Sequence, residues 1–164
     1  MDLLNHEQIS AKVTRLAMEI LERNTDETEL YLLGVNNRGL ELAQKLVDKM
    51  RTISNAPLYL WPIRISPASP LEPAAQLVGD VGELTCKAVL IVDDVANTGR
   101  TLFYAFGPLL KVLPKKIEVA VLVDRRHKSW PVYVTYSGLD LSTTVGDNVL
   151  VTFSDVDGDR AVLE

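Results

Sequence analysis

The period of apolar positions changes several times along the chain, and the changes divide it into elements. Ile9, Val13, Leu16, Ala17, Ile20 and Leu21 recur at helical spacing behind Asn5, which predicts a first helix with Asn5 as its cap. After the polar break NTDETE, the short apolar run LYLLGV (30–35) reads as a buried strand ending at a turn-like NNRG. Leu40, Ala43, Leu46, Val47 and Met50 return to helical spacing, and an extended run follows from Leu58 to Ile65. Three prolines within SPASPLEP (66–73) rule out a helix or a central strand, so residues 66 to about 84 are expected to form a long exposed loop. VLIV (89–92) predicts a strand, Thr101 to Val112 a helix and IEVAVLV (117–123) another strand. Val132, Val134 and Tyr136 alternate as a later strand, and VLVTF (149–153) suggests one more. The repeated β-α order predicts a mostly parallel sheet with right-handed crossovers, and ligands bind beyond the carboxyl ends of such strands. No repeat or linker interrupts the pattern, so residues 1–164 are expected to form one domain.

Composition adds little to this picture and removes several classes. With 47% apolar and 24% charged residues the chain resembles an ordinary globular protein. A net charge of −5 argues against a protein whose main task is to grip a polyanion, because such binding needs clustered Lys and Arg. The single cysteine, Cys86, can form no internal disulfide, and the N-terminus MDLLNHEQ has no signal-peptide pattern, so a cytoplasmic protein is expected. No apolar run approaches the roughly 20 residues that cross a bilayer.

The segment Val89–Leu102, VLIVDDVANTGRTL, carries the clearest chemistry. Its strand ends in Asp93-Asp94, two acceptors at the mouth of the sheet. These suit the neighbouring hydroxyls of a ribose or a metal ion, against the plainer reading of a helix cap or solvated turn. Asn97, Thr98, Gly99, Arg100 and Thr101 follow with a tight turn, hydroxyls and amides at a helix start, a place for a monophosphate. Together the two features have the spacing of a ribose 5-phosphate. No GxxxxGK[ST] occurs and no GxGxxG follows a strand, so the common nucleoside-triphosphate and dinucleotide signatures are missing.

VLIVDDVANTGRT resembles the phosphoribosyl pyrophosphate (PRPP) motif of type I phosphoribosyltransferases. VTRLAMEILERN, LLGVNNRGLELAQKL and AVLVDRRHKSWPVYVTYSGLDL extend the likeness to the bifunctional pyrimidine-operon attenuator and uracil phosphoribosyltransferase group. The resemblance implies a single-domain, three-layer α/β/α fold with a mostly parallel sheet and a small hood region, the hood or flexible loop lying at about 62–84. It implies that Asp93 and Asp94 bind the ribose hydroxyls and that Asn97–Thr101 hold the 5-phosphate. Asn37, Arg38 and Gly39 would form a pyrophosphate loop with a strained non-proline peptide bond, Arg38 taking part in catalysis. The base pocket would lie at Val123, Asp124 and Arg125 and at Tyr136, Ser137 and Gly138. The cofactor would be Mg²⁺ arriving with PRPP, near Asp94 and Asp147 and held mainly through substrate and water. Homodimers or homotetramers are common in such proteins.

Purine-specific relatives carry an acid at the position of Asn97 and a lysine near Asp124, so the resemblance points to uracil, giving UMP and pyrophosphate. One departure concerns the loop 66–84, which has no Arg or Lys where the family usually has both charges. PRPP binding does not need that loop but turnover does. The alternative is therefore a weakly catalytic or non-catalytic sensor of PRPP or UMP that binds pyrimidine-operon RNA. Arg125, Arg126, His127 and Lys128, with Lys111, Lys115 and Lys116, would supply its basic face, although a solvated loop is the favoured reading. Asp155, Asp157 and Asp159 mimic the start of a calcium loop, but Arg160 stands where glycine is required, so a polar turn is expected.

Overall fold

The computed structural model describes residues 1–142, 144 and 146–164. Six strands form the main sheet: β2 (Leu30–Val35), β3 (Leu58–Arg64), β4 (Gln76–Leu77), β5 (Ala88–Ala96), β6 (Lys116–Arg125) and β7 (Tyr136–Leu141). Their order is β4-β3-β2-β5-β6-β7, all parallel except the short β4. A second sheet joins the two ends of the chain, with β1 (Asp2–Leu4), β9 (Arg160–Leu163) and β8 (Val149–Thr152) antiparallel in that order.

Alternation along the parallel strands builds two cores. Leu30, Leu32, Leu90, Val92 and Ala120 face helices α1 (His6–Arg23) and α2 (Asn36–Arg51). Leu33, Val89, Ile91, Val119 and Val121 face α3 (Arg100–Ala105) and a 3₁₀ turn at Gly107–Lys111. The result is the expected three-layer α/β/α arrangement. Helix α1 starts as predicted: the Asn5 carboxamide accepts the Gln8 N–H and the Gln8 side chain accepts the Asn5 N–H, each at 2.9 Å, a reciprocal cap. No helix among the described residues is long and apolar enough to cross a membrane.

Three expected boundaries move. The helix predicted over Thr101–Val112 ends at Ala105, because Pro108 cannot donate to the carbonyl one turn earlier and its ring clashes there. The strand expected from the alternation at Val132, Val134 and Tyr136 begins only at Tyr136. The hood or loop segment placed at about 62–84 begins inside β3, since Pro62, Ile63 and Arg64 complete that strand. Pro62 is tolerated there because its carbonyl, which accepts the Val78 N–H at 2.9 Å, faces the edge rather than β2. The rest of the segment holds β4 and a 3₁₀ turn at Val81–Leu84.

The small terminal sheet is pinned over the helices. Asp159, in the turn between β8 and β9, is buried, and its carboxylate pairs with the Lys45 ammonium of α2 at 3.0 Å. The acid trio seen in the sequence is thus a polar turn with one anchoring member.

Candidate functional site

Strand β5 carries its apolar run to the sheet mouth and ends in the two acids. Asp93 is buried at 8% exposure, and its Oδ1 accepts the Asp94 N–H at 2.9 Å. Burial, reinforced by the Asp94 charge beside it, pushes the Asp93 carboxyl well above the ordinary carboxylate range. Both acids line a cavity of about 580 Å³. The turn Asn36–Arg38 and Arg64 flank it, with Asn97 and Thr101 further along the wall and Asn148, Val149 and Leu150 of the β8 region closing it.

The turn at the start of α2 reaches β5 because Gly39 has no side chain. A Cβ there would lie 2.6 Å from the Val92 carbonyl oxygen and 3.2 Å from Asp93 Cα. The strain expected at a peptide bond sits instead in the φ of Asn36, 53°, while the peptide bonds of the turn are trans. That conformation turns the Asn36 carboxamide onto Ile65, donating to its carbonyl at 2.9 Å and accepting its N–H at 3.0 Å. The end of β3 is thereby fixed beside the turn.

Beyond β5, residues 95–102 curl around a hollow of about 50 Å³. Gly99 takes a φ of 87°, which favours glycine, and the N–H groups of Thr98 and Gly99 have no hydrogen-bond partner among the described residues. Such a nest of amides attracts an anion without help from the helix dipole, which is small here because α3 has only six residues. The segment after β6 supports this loop from behind. Ser129 and Trp130 donate backbone N–H groups to the Thr98 carbonyl at 3.0 and 3.1 Å, and Arg125 Nη1 donates to Asn97 Oδ1 at 3.1 Å. Lys128 pairs with Asp124, donates to the Arg125 carbonyl and lies 3.4 Å from the Ala96 carbonyl oxygen.

Asp93, Asp94, Asn37, Arg38, Asn97 and Thr101 therefore share one cavity, with Gly39 packed beneath it and Thr98, Gly99 and Arg100 in the adjoining hollow. Six of the sequence candidates lie elsewhere. Val123 is fully buried and packs in the helix-side core. Asp124 is held by Lys128 and lines a separate hollow at the β7 edge with Ser137 and Gly138. Tyr136 stands opposite Ala120, whereas Asp124 stands opposite Asp140, so Tyr136 sits four residues, roughly 13 Å, below the sheet mouth. Its hydroxyl donates to Glu118 at 2.9 Å and accepts from Asn24 at 3.3 Å; burial, then the Glu118 hydrogen bond and charge, raise its pKa. Asp147 uses Oδ2 to accept the Thr144 N–H and hydroxyl at 3.0 and 2.7 Å, closing a turn, and the next residue, Asn148, reaches the cavity instead.

Tyr136→Phe is accordingly expected to lower stability by about 1–3 kcal/mol, the cost of leaving buried partners unsatisfied, while leaving any base KM unchanged. Urea melts beside steady-state kinetics check this, and a shifted base KM would return Tyr136 to the site.

Arg64, Pro67 and Asn148–Leu150 also line the cavity, and no local sequence motif attaches them to the Asp93-Asp94 segment. Among the described residues, no three His, Cys, Asp or Glu side chains converge as a self-sufficient metal cage. The donors at the cavity are the hard carboxylate oxygens of Asp93 and Asp94. These suit Mg²⁺, which binds through one or two carboxylates, water and substrate phosphates.

A parallel sheet whose central strand ends in paired acids, beside an amide nest and a glycine-seated turn, defines an α/β protein with a polar site at the carboxyl end of its sheet. The chain belongs to the phosphoribosyl transferase domain family, which it matches over residues 1–151, and the type I resemblance read from its motif holds. It is similar to the bifunctional protein PyrR of Bacillus velezensis, at 34% identity covering 94% of this chain and 91% of that protein. PyrR of Ligilactobacillus salivarius is also 34% identical, with 89% and 87% covered. The pyrimidine operon regulatory protein of Lactococcus lactis is 28% identical, with 99% and 95% covered. Among solved structures, a hypoxanthine phosphoribosyl transferase of Trypanosoma cruzi superposes with a TM-score of 0.77 at 20% identity, covering 100% of this chain and 91% of that one. A hypoxanthine-guanine phosphoribosyltransferase of Bacillus anthracis gives 0.71 at 22% identity, with 87% and 83% covered. These two likenesses speak to the fold.

Proposed function

We propose that this protein transfers ribose 5-phosphate from PRPP to uracil, releasing pyrophosphate and forming UMP. The observation that carries the reading is the convergence of Asp93-Asp94, the 97–101 loop and the Asn37–Gly39 turn on adjoining cavities at one sheet mouth. In this reading Asp93 and Asp94 accept from the ribose hydroxyls, the loop amides and Thr101 hold the 5-phosphate, and Asn37 and Arg38 face the pyrophosphate. Asp93 and Asp94 would hold Mg²⁺ at the cavity, where it would supply neutralisation of charge on the leaving group. The protein's own contribution is positional: it holds C1 of the sugar in line with a ring nitrogen of the base as positive charge develops on the ribose.

The choice of uracil is supported by the pyrimidine-operon relatives and by Asn97. Its carboxamide is engaged by Arg125 and cannot accept a purine proton as a carboxylate would. Incubation with PRPP, Mg²⁺ and each free base is expected to release pyrophosphate fastest with uracil, and no release with any base would overturn the catalytic reading.

The names of the relatives also favour a second role, control of a pyrimidine operon through its RNA. The charges give it less support: Lys115 pairs with Glu27, Lys116 with Glu118, Arg126 with Asp140 and Lys128 with Asp124. A salt-dependent mobility shift on pyrimidine-operon leader RNA, altered by UMP or PRPP, is its test. Absence of any shift would remove it.

A further inference from the structure

We propose that Asp159, held by Lys45 and His6, is a positioning residue that sets the terminal sheet over the cavity and so the grip of that wall on the base; the inference rests on the phosphoribosyltransferase reading above. The wall is Asn148–Leu150. The ribose hydroxyls, the 5-phosphate and the pyrophosphate are assigned above to other groups around the cavity, which leaves this wall to the base.

The terminal sheet can carry a displacement from one of its ends to the other. β8 pairs with β9 from Thr152–Arg160 to Val149–Leu163, and beyond that pair Asn148 and Glu164 exchange both backbone hydrogen bonds at 2.8 Å. β1 closes the other edge of β9, where the Leu163 N–H donates to the Met1 carbonyl at 2.8 Å. Asp159 stands one residue beyond the Thr152–Arg160 pair and Leu150 two residues before it, so roughly 10 Å of ladder joins the buried acid to the cavity wall. A shift at the Asp159 end therefore moves Asn148–Leu150 across the cavity.

Val149, Val151 and Ala161 pack on the helix-side core, and apolar contacts of this kind hold the sheet down without fixing its direction. Among the described residues, the hydrogen bonds and ion pairs from this sheet to the helices end on Asp159. Its Oδ2 lies 3.0 Å from the Lys45 ammonium and 3.5 Å from His6 Nδ1. Oδ1 accepts the Ser154 N–H at 3.2 Å, which ties the carboxylate to its own turn, and the Asp159 N–H donates to His6 Nδ1 at 3.1 Å. The Lys45 ammonium also lies over the Phe153 ring, 5.6 Å from its centre. A buried pair of this kind adds little net stability, because desolvation offsets the attraction, yet it accepts only a narrow range of geometries.

Lys45 follows Gly39 by six residues on α2, about 9 Å along the helix. The helix whose start seats Asn37 and Arg38 against β5 thus also holds the sheet that closes the cavity. Two walls of the cavity share one support, and the Asp159–Lys45 pair is the joint between them.

Calorimetry with UMP and, separately, with magnesium and PRPP tests the assignment, because UMP carries a base and PRPP does not. The double variant Lys45→Met/Asp159→Asn nearly keeps both side-chain shapes and leaves no buried charge unpaired, so its melting temperature is expected to stay within about 5 °C of wild type. It is expected to bind UMP roughly tenfold more weakly, with PRPP affinity within about twofold of wild type. Asp159→Asn alone breaks the same link, so its loss for UMP is expected to equal that of the double variant. Wild-type UMP affinity in both variants overturns the inference while leaving the functional reading intact. Parallel loss of UMP and PRPP affinity overturns it as well, since the pair would then be supporting the whole fold. Wild-type protein that binds neither ligand overturns the functional reading, and the inference with it.

Discussion

Replacing Asp93 and Asp94 together by asparagine is expected to weaken PRPP binding by about a hundredfold or more, because each charged hydrogen bond to a ribose hydroxyl contributes roughly 1.5–3 kcal/mol. The single change Asp93→Asn is expected to do something further: it should raise the melting temperature of the free protein while removing most of its response to PRPP. The reason lies in the raised pKa of this buried acid. The folded protein holds the Asp93 proton more tightly than the unfolded chain does. As pH rises from the unfolded value through the folded one, the unfolded chain releases its proton first, so stability falls across that window. At higher pH the charged, buried carboxylate keeps its cost, and an asparagine of nearly the same shape does not carry it. PRPP affinity runs the other way over the same window, because only the ionised group offers all its oxygens to a diol. Thermal melts of ligand-free protein in a chelator, from mild acid to neutrality, beside calorimetry with magnesium and PRPP, check both slopes. Asp93→Asn protein that melts no higher than wild type and binds PRPP normally would refute the placement of Asp93.

That trade of stability for a prepared site explains why the core of the site was readable from the chain. Asp93, Asp94 and Asn97–Thr101 lie within one local segment, where a strand, two acids and a glycine turn follow each other without tertiary help. The same locality made α1, β2, α2, β5 and β6 legible, since each is long enough for its apolar period to be counted. The terminal sheet was only half visible. VLVTF announced β8, but β1 and β9 are three and four residues long, and Asp2 pairs with Val162 across almost the whole chain. Arg64, Pro67 and Asn148–Leu150 reach the cavity only because β3 and the terminal sheet come to the same end of the fold. Tyr136 shows the reverse case. It lies in a segment resembling part of a base pocket, yet the pairing of β7 with β6 fixes it beside Ala120 and Glu118, in the core. Register is a property of two strands at once, and one strand's sequence does not display it.

Gly39→Ala is expected to damage the site most for the smallest change in composition. The added Cβ would meet the Val92 carbonyl oxygen at 2.6 Å and Asp93 Cα at 3.2 Å, both of them backbone of the central strand, which cannot rotate aside as a side-chain end can. The start of α2 must then back away from β5, at a cost of about 1–3 kcal/mol for overpacking. A domain with the usual roughly 5–15 kcal/mol of stability survives that loss and stays folded. Its site does not survive unchanged, because Asn37 and Arg38 move with the helix start while Asp93 and Asp94 stay with the sheet. A displacement near 1 Å between the two halves of a ligand site can cost about a hundredfold in rate. Gly107→Ala provides the comparison, since a Cβ there meets nothing within 4 Å and adds the same methyl group far from the acids. Urea melts are expected to separate the two variants by at least about 1 kcal/mol. In PRPP titrations Gly107→Ala should follow wild type while Gly39→Ala loses more than about tenfold. Equal behaviour of the two in both measurements would mean that the close approach of α2 to β5 does not hold the pyrophosphate turn in place.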